Sequence, residues 1–178
     1  MNTLKQYKIN FVGLPIGNHP FTFRVEEGFF ACFEESEISQ GQVNVELVLE
    51  KKSNMLVLDF QMKGEVEVVC DRCMELYNEA IDLNKTLYVK FGDAYVEQTE
   101  DIITIPDSEN HVDISHFVYE FLHLGLPIRR VHSTNRKGEA GCDPEIMKKL
   151  EKHLGGNKGT RKICDTDSAW KALSKLKF

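Results

Sequence analysis

Two cysteines separated by two residues, Cys70 and Cys73, are the side chains of this sequence whose spacing most directly indicates chemistry. The turn between them places both sulfur atoms on one side, where one tetrahedral metal ion can bind both. A structural zinc ion takes about four ligands, so the pair supplies half of a site. A thioredoxin-like redox role is disfavoured, because that chemistry requires the first thiol at the start of a helix within a βαβ unit. The residues on either side of Cys70 and Cys73 are instead predicted to be strands.

A long predicted strand carries Cys70 to this turn. Apolar residues and one glycine occupy the even positions from Leu56 to Cys70, whereas polar or charged residues occupy the odd positions from Asp59 to Glu67. Strict alternation predicts a half-buried strand. The polar residues 51–54 predict a turn into it from an earlier alternating strand at 43–49, so the two strands are expected to form a hairpin.

The remaining elements are predicted by the same periodicities. Shorter alternating segments predict strands at 7–11, 21–25, 81–91 and 102–105. An apolar cluster at 29–33 predicts a helical turn. Beyond residue 112, helical spacing predicts a helix at 114–122 with Asp113 as its N-cap and Pro127 beyond its end, a second helix at 145–153, and a third at 168–176.

These elements predict an α+β fold, in which an antiparallel, partly barrel-like β-sheet is followed by a helical, basic C-terminal segment. We expect a single α+β domain over residues 1–154, with strands to about residue 106 and helices after 113. Residues 155–178 are expected to form a basic linker and a C-terminal helix, because 155–160 is rich in glycine.

The segment from Val66 to Cys73 resembles the signature of the YceD family, the large ribosomal RNA subunit accumulation proteins. Further matches occur in order, so that the resemblance covers essentially the whole chain: Gly64 ahead of the cysteines, then Leu87–Phe91, Asp113–Ser115 before a helix that holds Glu120, Leu126-Pro127, and residues 170–177. The resemblance implies a non-enzymatic factor for accumulation or processing of large-subunit ribosomal RNA. Its implied partner is that RNA or a ribosomal protein.

The resemblance also extends the cysteine pair to four candidate metal ligands. Residues after Pro127 are similar to a family variant in which a histidine and a later cysteine, here His132 and Cys142, follow the Leu-Pro pair. Cys70, Cys73, His132 and Cys142 would together supply a structural zinc ion with three thiolates and one imidazole. The residues themselves favour the opposite prediction, in which no cofactor is bound, Cys70 is a core residue and Cys73 is an incidental turn thiol, and structural zinc is the other possibility. Cys32 and Cys164 are expected to be unrelated.

The net charge of −6 conceals a strong asymmetry. Residues 1–112 hold 9 Lys and Arg against 20 Asp and Glu (−11), and residues 113–178 hold 13 against 8 (+5). A basic segment suits a polyanion such as RNA. The candidate nucleic-acid contacts are Arg129, Arg130, Arg136, Lys137, Lys158, Arg161 and Lys162. Two alternatives stay open: these residues pair with the acidic strands, or the chain is a protein-binding adaptor whose basic tail docks without RNA contact.

Other function classes find little support. The sequence contains no glycine-rich phosphate loop, nucleophile elbow or paired metal carboxylates, so neither an enzyme nor a small-molecule substrate is predicted. His116, Glu120 and His123 lie off the apolar stripe of their helix, so both histidines are expected to face solvent and Glu120 to pair with Arg129 or Arg130. The five cysteines do not have the spacing of a secreted disulfide framework, and the sequence shows neither a signal-peptide pattern nor an apolar segment long enough to span a membrane. These features predict a cytoplasmic protein without a membrane partner.

Overall fold

Most of the alternating segments form strands of one six-stranded sheet. A computed structural model describes residues 3–34, 36–132 and 141–153 of the chain. The chain divides into two units, residues 1–132 and 133–178. The second unit contains helix α3 (Pro144–His153). The first contains, in chain order, a 3-10 helix (Thr3–Tyr7), β1 (Lys8–Asn10), β2 (Gly17–Val25), α1 (Glu27–Phe30), β3 (Gln40–Lys51), β4 (Met55–Val69), β5 (Leu76–Gly92), β6 (Val96–Thr99), β7 (Ile102–Pro106), β8 (His111–Asp113) and α2 (Ser115–Leu124).

The strand order of the large sheet is β2-β3-β4-β5-β7-β6. Neighbouring strands are antiparallel except for β5 and β7, which run parallel. β1 and β8 pair antiparallel as a separate two-stranded sheet. The sheet is therefore mostly antiparallel, and β4 lies near its middle between its two longest partners.

The alternation along β3 and β4 sends apolar side chains to one face. Leu47 and Phe60 are buried and lie opposite each other in the register, whereas Glu46 and Asp59 are exposed. The predicted hairpin of these two strands is confirmed, with Lys51 paired to Leu56 across its turn.

Helix α2 covers part of the apolar face. Phe117, Val118, Phe121 and Leu122 are buried, and the ring of Phe121 meets that of Phe60 edge to face at 5.5 Å. The carboxylate of Asp113 accepts hydrogen bonds from the backbone N–H (3.0 Å) and hydroxyl (2.6 Å) of Ser115, the first helical residue. The predicted helix is confirmed, although Ile114 occupies the N-cap position.

The predicted α+β class is confirmed, but the barrel-like curl of the sheet is wrong. Across the described residues the sheet does not close into a barrel, because its two edge strands, β2 and β6, do not pair with each other. A helix, rather than a facing wall of strands, packs on the apolar face at Phe60. Two short strands, β6 and β8, were also absent from the sequence-based prediction.

The helix predicted at 145–153 is confirmed by α3. The helix predicted at 168–176 and the linker at 155–160 lie outside the described residues. No helix within the described ranges is long and apolar enough to cross a membrane.

Candidate metal centre

The cysteine turn (residues 70–75) joins β4 to β5 at the end of their long hairpin. The backbone N–H of Cys70 donates to the carbonyl of Glu75 (2.9 Å), and that of Met74 donates to the carbonyl of Cys70 (2.9 Å). Met74 has a φ of 63°, a left-handed conformation that is uncommon for a residue with a side chain. The tight turn therefore depends on one residue held in an unfavourable backbone region.

Both thiols of the turn are buried, at 0% exposure for Cys70 and 2% for Cys73. Burial raises the pKa of Cys70, but hydrogen bonds from the backbone N–H groups of Cys73, Arg72 and His132 lower it, and the net pKa is about 6. The N–H of Arg72 lies 3.5 Å from the sulfur. Cys70 is therefore prepared as a thiolate at neutral pH, which is the form that binds metal.

Asp71 joins the cysteine turn to the segment after Pro127. Its backbone N–H donates to the carbonyl of Arg130 (2.7 Å), and its carboxylate accepts from the backbone N–H of Arg130 (2.7 Å). This two-way connection brings His132, two residues further on, to the turn. The Nδ1 atom of His132 lies 3.4 Å from the sulfur of Cys73, and its ring lies 4.8 Å from the ring of Tyr77.

The four predicted ligands lie together. One ligand atom from each of Cys70, Cys73, His132 and Cys142 falls within 4.8 Å of the other three. Zinc bonds of about 2.3 Å to sulfur and 2.0–2.1 Å to nitrogen give a tetrahedron with a sulfur–nitrogen edge of about 3.6 Å. The 3.4 Å between the sulfur of Cys73 and Nδ1 of His132 is close to that edge, so the spacing of these two ligand atoms is compatible with zinc.

The types of ligand atom in the cluster also fit zinc. Three sulfurs and one imidazole nitrogen are a common structural zinc ligand set, whereas calcium and magnesium prefer oxygen. The backbone N–H groups directed at Cys70 offset the charge of its thiolate, as outer-shell donors do in metal sites. Cys32, outside the set, is exposed and its thiol donates to the carbonyl of Gly28.

The two adjacent arginines proposed as phosphate contacts differ in their surroundings. The guanidinium of Arg130 lies 2.6 Å from a carboxylate oxygen of Glu37 and 3.9 Å from one of Asp71, and its side chain is 25% exposed. Arg129 is exposed. Arg130 is therefore paired within the chain, with carboxylates in the loop before β3 and in the cysteine turn rather than on the acidic strands. The other candidate contacts lie outside the described residues: Arg136, Lys137, Lys158, Arg161 and Lys162.

Two expectations about the polar residues of α2 are wrong. Glu120 pairs with His116 one turn earlier (3.0 Å) rather than with an arginine. His123 donates from Nδ1 to the carbonyl of Tyr119 (2.9 Å), and its Nε2 atom is buried with no hydrogen-bond partner among the described residues. His123 is therefore only partly exposed, because its ring lies against that of Tyr119 at 4.2 Å.

Sequence comparison agrees with the resemblance carried by the cysteine turn. A family model described as large ribosomal RNA subunit accumulation protein YceD matches residues 58–177, which is more than half of the chain and includes all four clustered ligands. The chain belongs to the YceD family. Membership implies a role in the accumulation of large-subunit ribosomal RNA. No curated protein and no solved structure matches the chain.

The contacts that complete the cluster had only a weak signal in the sequence. Asp71 stands between the two cysteines, where its side chain can reach a neighbouring segment, but nothing local identifies Arg130 as its partner. Tyr77 belongs to the alternating pattern of β5 and gave no separate indication of its contact with His132.

Proposed function

We propose that this chain is a non-catalytic factor that promotes the accumulation of large-subunit ribosomal RNA by contacting that RNA through its basic C-terminal part. The observation that carries the proposal is the family match over residues 58–177. The family description specifies an RNA whose level depends on the protein and specifies no reaction. A binding role is the simplest role of this kind.

The charge distribution supports contact through the C-terminal part. Residues 113–178 carry a net +5, and residues 1–112 carry a net −11. Phosphates are attracted to Lys and Arg and repelled by carboxylates, and such contacts supply affinity that does not depend on sequence. Arg129, two residues after Pro127, is exposed, so its planar guanidinium is available for a phosphate.

The test is ultraviolet crosslinking in cells of the full-length chain, followed by sequencing of the attached RNA. We expect crosslinks concentrated at defined positions of large-subunit ribosomal RNA. A matched chain in which Lys158, Arg161 and Lys162 are changed to Gln should give fewer crosslinks at unchanged protein level. Crosslinks spread over all abundant RNAs, or none, would overturn direct recognition.

The alternative is a protein-binding adaptor without RNA contact. The ion pairs of Arg130 with Glu37 and Asp71 favour it, because they remove one of the two arginines after Pro127 from the set available to phosphate. Under this alternative the same experiment gives no RNA crosslinks, while ribosomal proteins co-purify with the chain after nuclease treatment.

We further propose that the Cys3His cluster binds one structural zinc ion. The clustered ligand atoms, the buried thiols and the backbone donors directed at Cys70 support it. The four protein ligands would fill all four coordination positions of the zinc ion and leave none open for a substrate, as in closed structural sites. Zinc would hold His132 at the cysteine turn and thereby fix the segment that begins with Arg129.

Elemental analysis of protein purified without chelator or nickel column tests this proposal. We expect close to one equivalent of zinc in the unaltered chain and in Cys32→Ser, which removes a thiol outside the cluster. Cys73→Ser should lose most of the metal. Cobalt exchange adds a readout, since thiolate coordination gives an intense charge-transfer band. Metal-free protein with native-like circular dichroism and no cobalt band would contradict a zinc site.

A further inference from the structure

Strand β6 is an exposed edge of the large sheet. All four of its residues are exposed, and within the described ranges it pairs only with β7, so no described strand lies on its outer side. Such an edge presents unpaired backbone N–H and C=O groups that can pair with another extended segment. Its single described neighbour leaves room for an additional strand.

A groove runs between this edge and helix α2. One cavity of about 680 Å³ is lined by Glu97 and Thr99 of β6 and by Phe117 and Phe121 of α2. A second cavity of about 380 Å³ is lined by Tyr95, Ile103, Ile105 and Phe117. Because both cavities share Phe117, we treat them as one edge groove with an apolar floor, bordered by β6 and α2.

The rim of the edge groove is acidic. The larger cavity is lined by the carboxylates of Glu97, Glu100, Asp101 and Glu120 and by one ammonium group, that of Lys85. Lys85 lies 6.0 Å from the ring centroid of Phe121, above its face. Four carboxylates against one cation, on a unit that is strongly acidic overall, repel phosphates and attract a basic group.

We propose that the edge groove binds an extended, lysine- and arginine-rich segment of a partner protein. The segment would add a strand to β6, a recognition mode in which backbone hydrogen bonds supply affinity and side-chain pockets supply specificity. Its aliphatic stems would lie on Phe117 and Phe121 while its charged ends reach the carboxylates of the rim. Charge complementarity is the observation that selects this occupant.

A second copy of the chain fits this edge less well. Edge-to-edge pairing of two β6 strands would bring Glu97, and Glu100 and Asp101 of the adjoining turn, close to the carboxylates of the other copy, and like charges on an edge oppose such pairing. A basic strand neutralises the same carboxylates.

The dimensions of the groove set the length of the segment. Helix α2 has 10 residues, which at 1.5 Å per residue is about 15 Å. An extended peptide rises about 3.3 Å per residue, so about five residues span the groove. Alternate side chains of the peptide face the groove, so two or three basic residues at every second position suffice.

The inference does not depend on RNA contact, since the acidic groove and the basic C-terminal part attract opposite charges.

The test uses the full-length chain and a fluorescent ten-residue peptide that alternates lysine with valine. Matched controls are the same peptide with glutamate in place of lysine, and a lysine peptide methylated on alternate backbone nitrogens so that it cannot extend a sheet. Binding is measured by fluorescence anisotropy, and backbone amide NMR shifts locate it.

We expect the lysine peptide to bind with shifts at β6 and α2, and both control peptides to bind roughly tenfold more weakly or not at all. Glu100→Lys with Asp101→Lys, at the β6–β7 turn, should weaken binding by a similar factor. Glu46→Lys with Glu65→Lys, which makes the same charge change on the exposed face of β3 and β4, should leave it nearly unchanged. Equal weakening by both double variants, or equal binding of the methylated peptide, would show diffuse electrostatic attraction and overturn the proposal.

Discussion

At the scale of single residues, Arg129 and Arg130 show how two identical side chains acquire different roles. The guanidinium of Arg130 forms ion pairs with Glu37 and Asp71, and the backbone N–H of Arg130 donates a hydrogen bond to the carboxylate of Asp71. Arg129 is exposed. Arg130 therefore supports the position of His132 beside Cys73, whereas Arg129 remains available to a ligand.

This difference predicts separable effects of the two substitutions. Arg129→Ala should weaken binding to large-subunit ribosomal RNA fragments several-fold and leave the melting temperature nearly unchanged, as expected for a surface phosphate contact. Arg130→Ala should lower the melting temperature by a few degrees and speed zinc loss to a chelator, because Glu37 and Asp71 lose their shared cation. Filter binding, thermal melts and chelator kinetics measure these effects. If the two variants had the same RNA affinity, melting temperature and rate of zinc loss, the different roles of Arg129 and Arg130 would be contradicted.

Tyr7 predicts how stability changes at alkaline pH. Burial raises the pKa of Tyr7 to about 12 from its ordinary 10.0, and its hydroxyl donates to the carbonyl of Arg24 (2.8 Å). Below pH 10 the phenol is protonated in both folded and unfolded chains, so the Tyr7 hydroxyl contributes fully to folding stability. Between pH 10 and pH 12 the unfolded chain loses the proton first, and folding stability falls.

Tyr7→Phe should therefore flatten the loss of stability between pH 10 and pH 12 while costing about 1 kcal/mol at neutral pH through the lost hydrogen bond. Urea unfolding at a series of pH values measures both effects. Tyr88→Phe, at a partly exposed tyrosine of β5, is the control. An alkaline transition that is unchanged in Tyr7→Phe would show that other groups cause it.

At the scale of elements, the sheet depends on a glycine at which two strands approach closely. Gly64 of β4 lies opposite Val43 of β3 and Ile81 of β5. A Cβ atom at this position would lie 2.7 Å from the Cα of Val43 and 2.9 Å from the carbonyl carbon of Gln42. Both are backbone atoms in a central strand pair, so neither can move aside without distorting the sheet.

Gly64→Ala should therefore lower the free energy of unfolding by about 1–3 kcal/mol, in the range of overpacked cores. Gly13→Ala is the matched control, because a Cβ there meets nothing within 4 Å. Urea unfolding of both full-length variants measures the difference. Equal stability of the two would mean that β3 and β4 can separate at this point at little cost.

At the scale of the whole molecule, opposite charges are divided between parts of the chain. The acidic part includes the six-stranded sheet and the edge groove, and the basic part includes residues 155–178 with six Lys and Arg against two Asp. Segments of opposite charge in one chain suit contact with both a basic protein segment and RNA. The two proposals therefore describe different sites that can be tested independently.

A chain that ends at Leu154 should lose much of its affinity for large-subunit ribosomal RNA fragments. The slope of log affinity against log salt should also become shallower, by about 0.7–0.9 for each phosphate contact removed. Binding of the lysine–valine peptide to the edge groove should be unaffected. The full-length chain with Lys158, Arg161 and Lys162 changed to Gln separates the loss of charge from the loss of length. Unchanged RNA affinity and salt slope in both chains would exclude the tail as an RNA contact.

Local periodicity was sufficient to predict β2 to β5, the hairpin of β3 and β4, α2 and α3. Each depends on which side chains alternate or recur within a few residues, and that pattern is visible along the chain. The same reasoning missed β6, because all four of its residues are exposed and show no alternation. It also missed the parallel pairing of β5 with β7, which joins segments through a register that no local pattern specifies.

The sequence by itself determined the chemistry that is available: a cysteine pair at the end of a strand, an acidic N-terminal part and a basic C-terminal part. Residue types and spacing carry that information without reference to distant contacts. The family resemblance implied His132 and Cys142 as partners of Cys70 and Cys73, and the tertiary structure brings the four ligand atoms within 4.8 Å of one another. Only the tertiary structure decided that Asp71 holds the Arg130 segment and that an acidic groove lies beside a sheet edge. Each of these unites residues that are remote in the chain, and such contacts are selected by the packing of the whole fold rather than by any local preference.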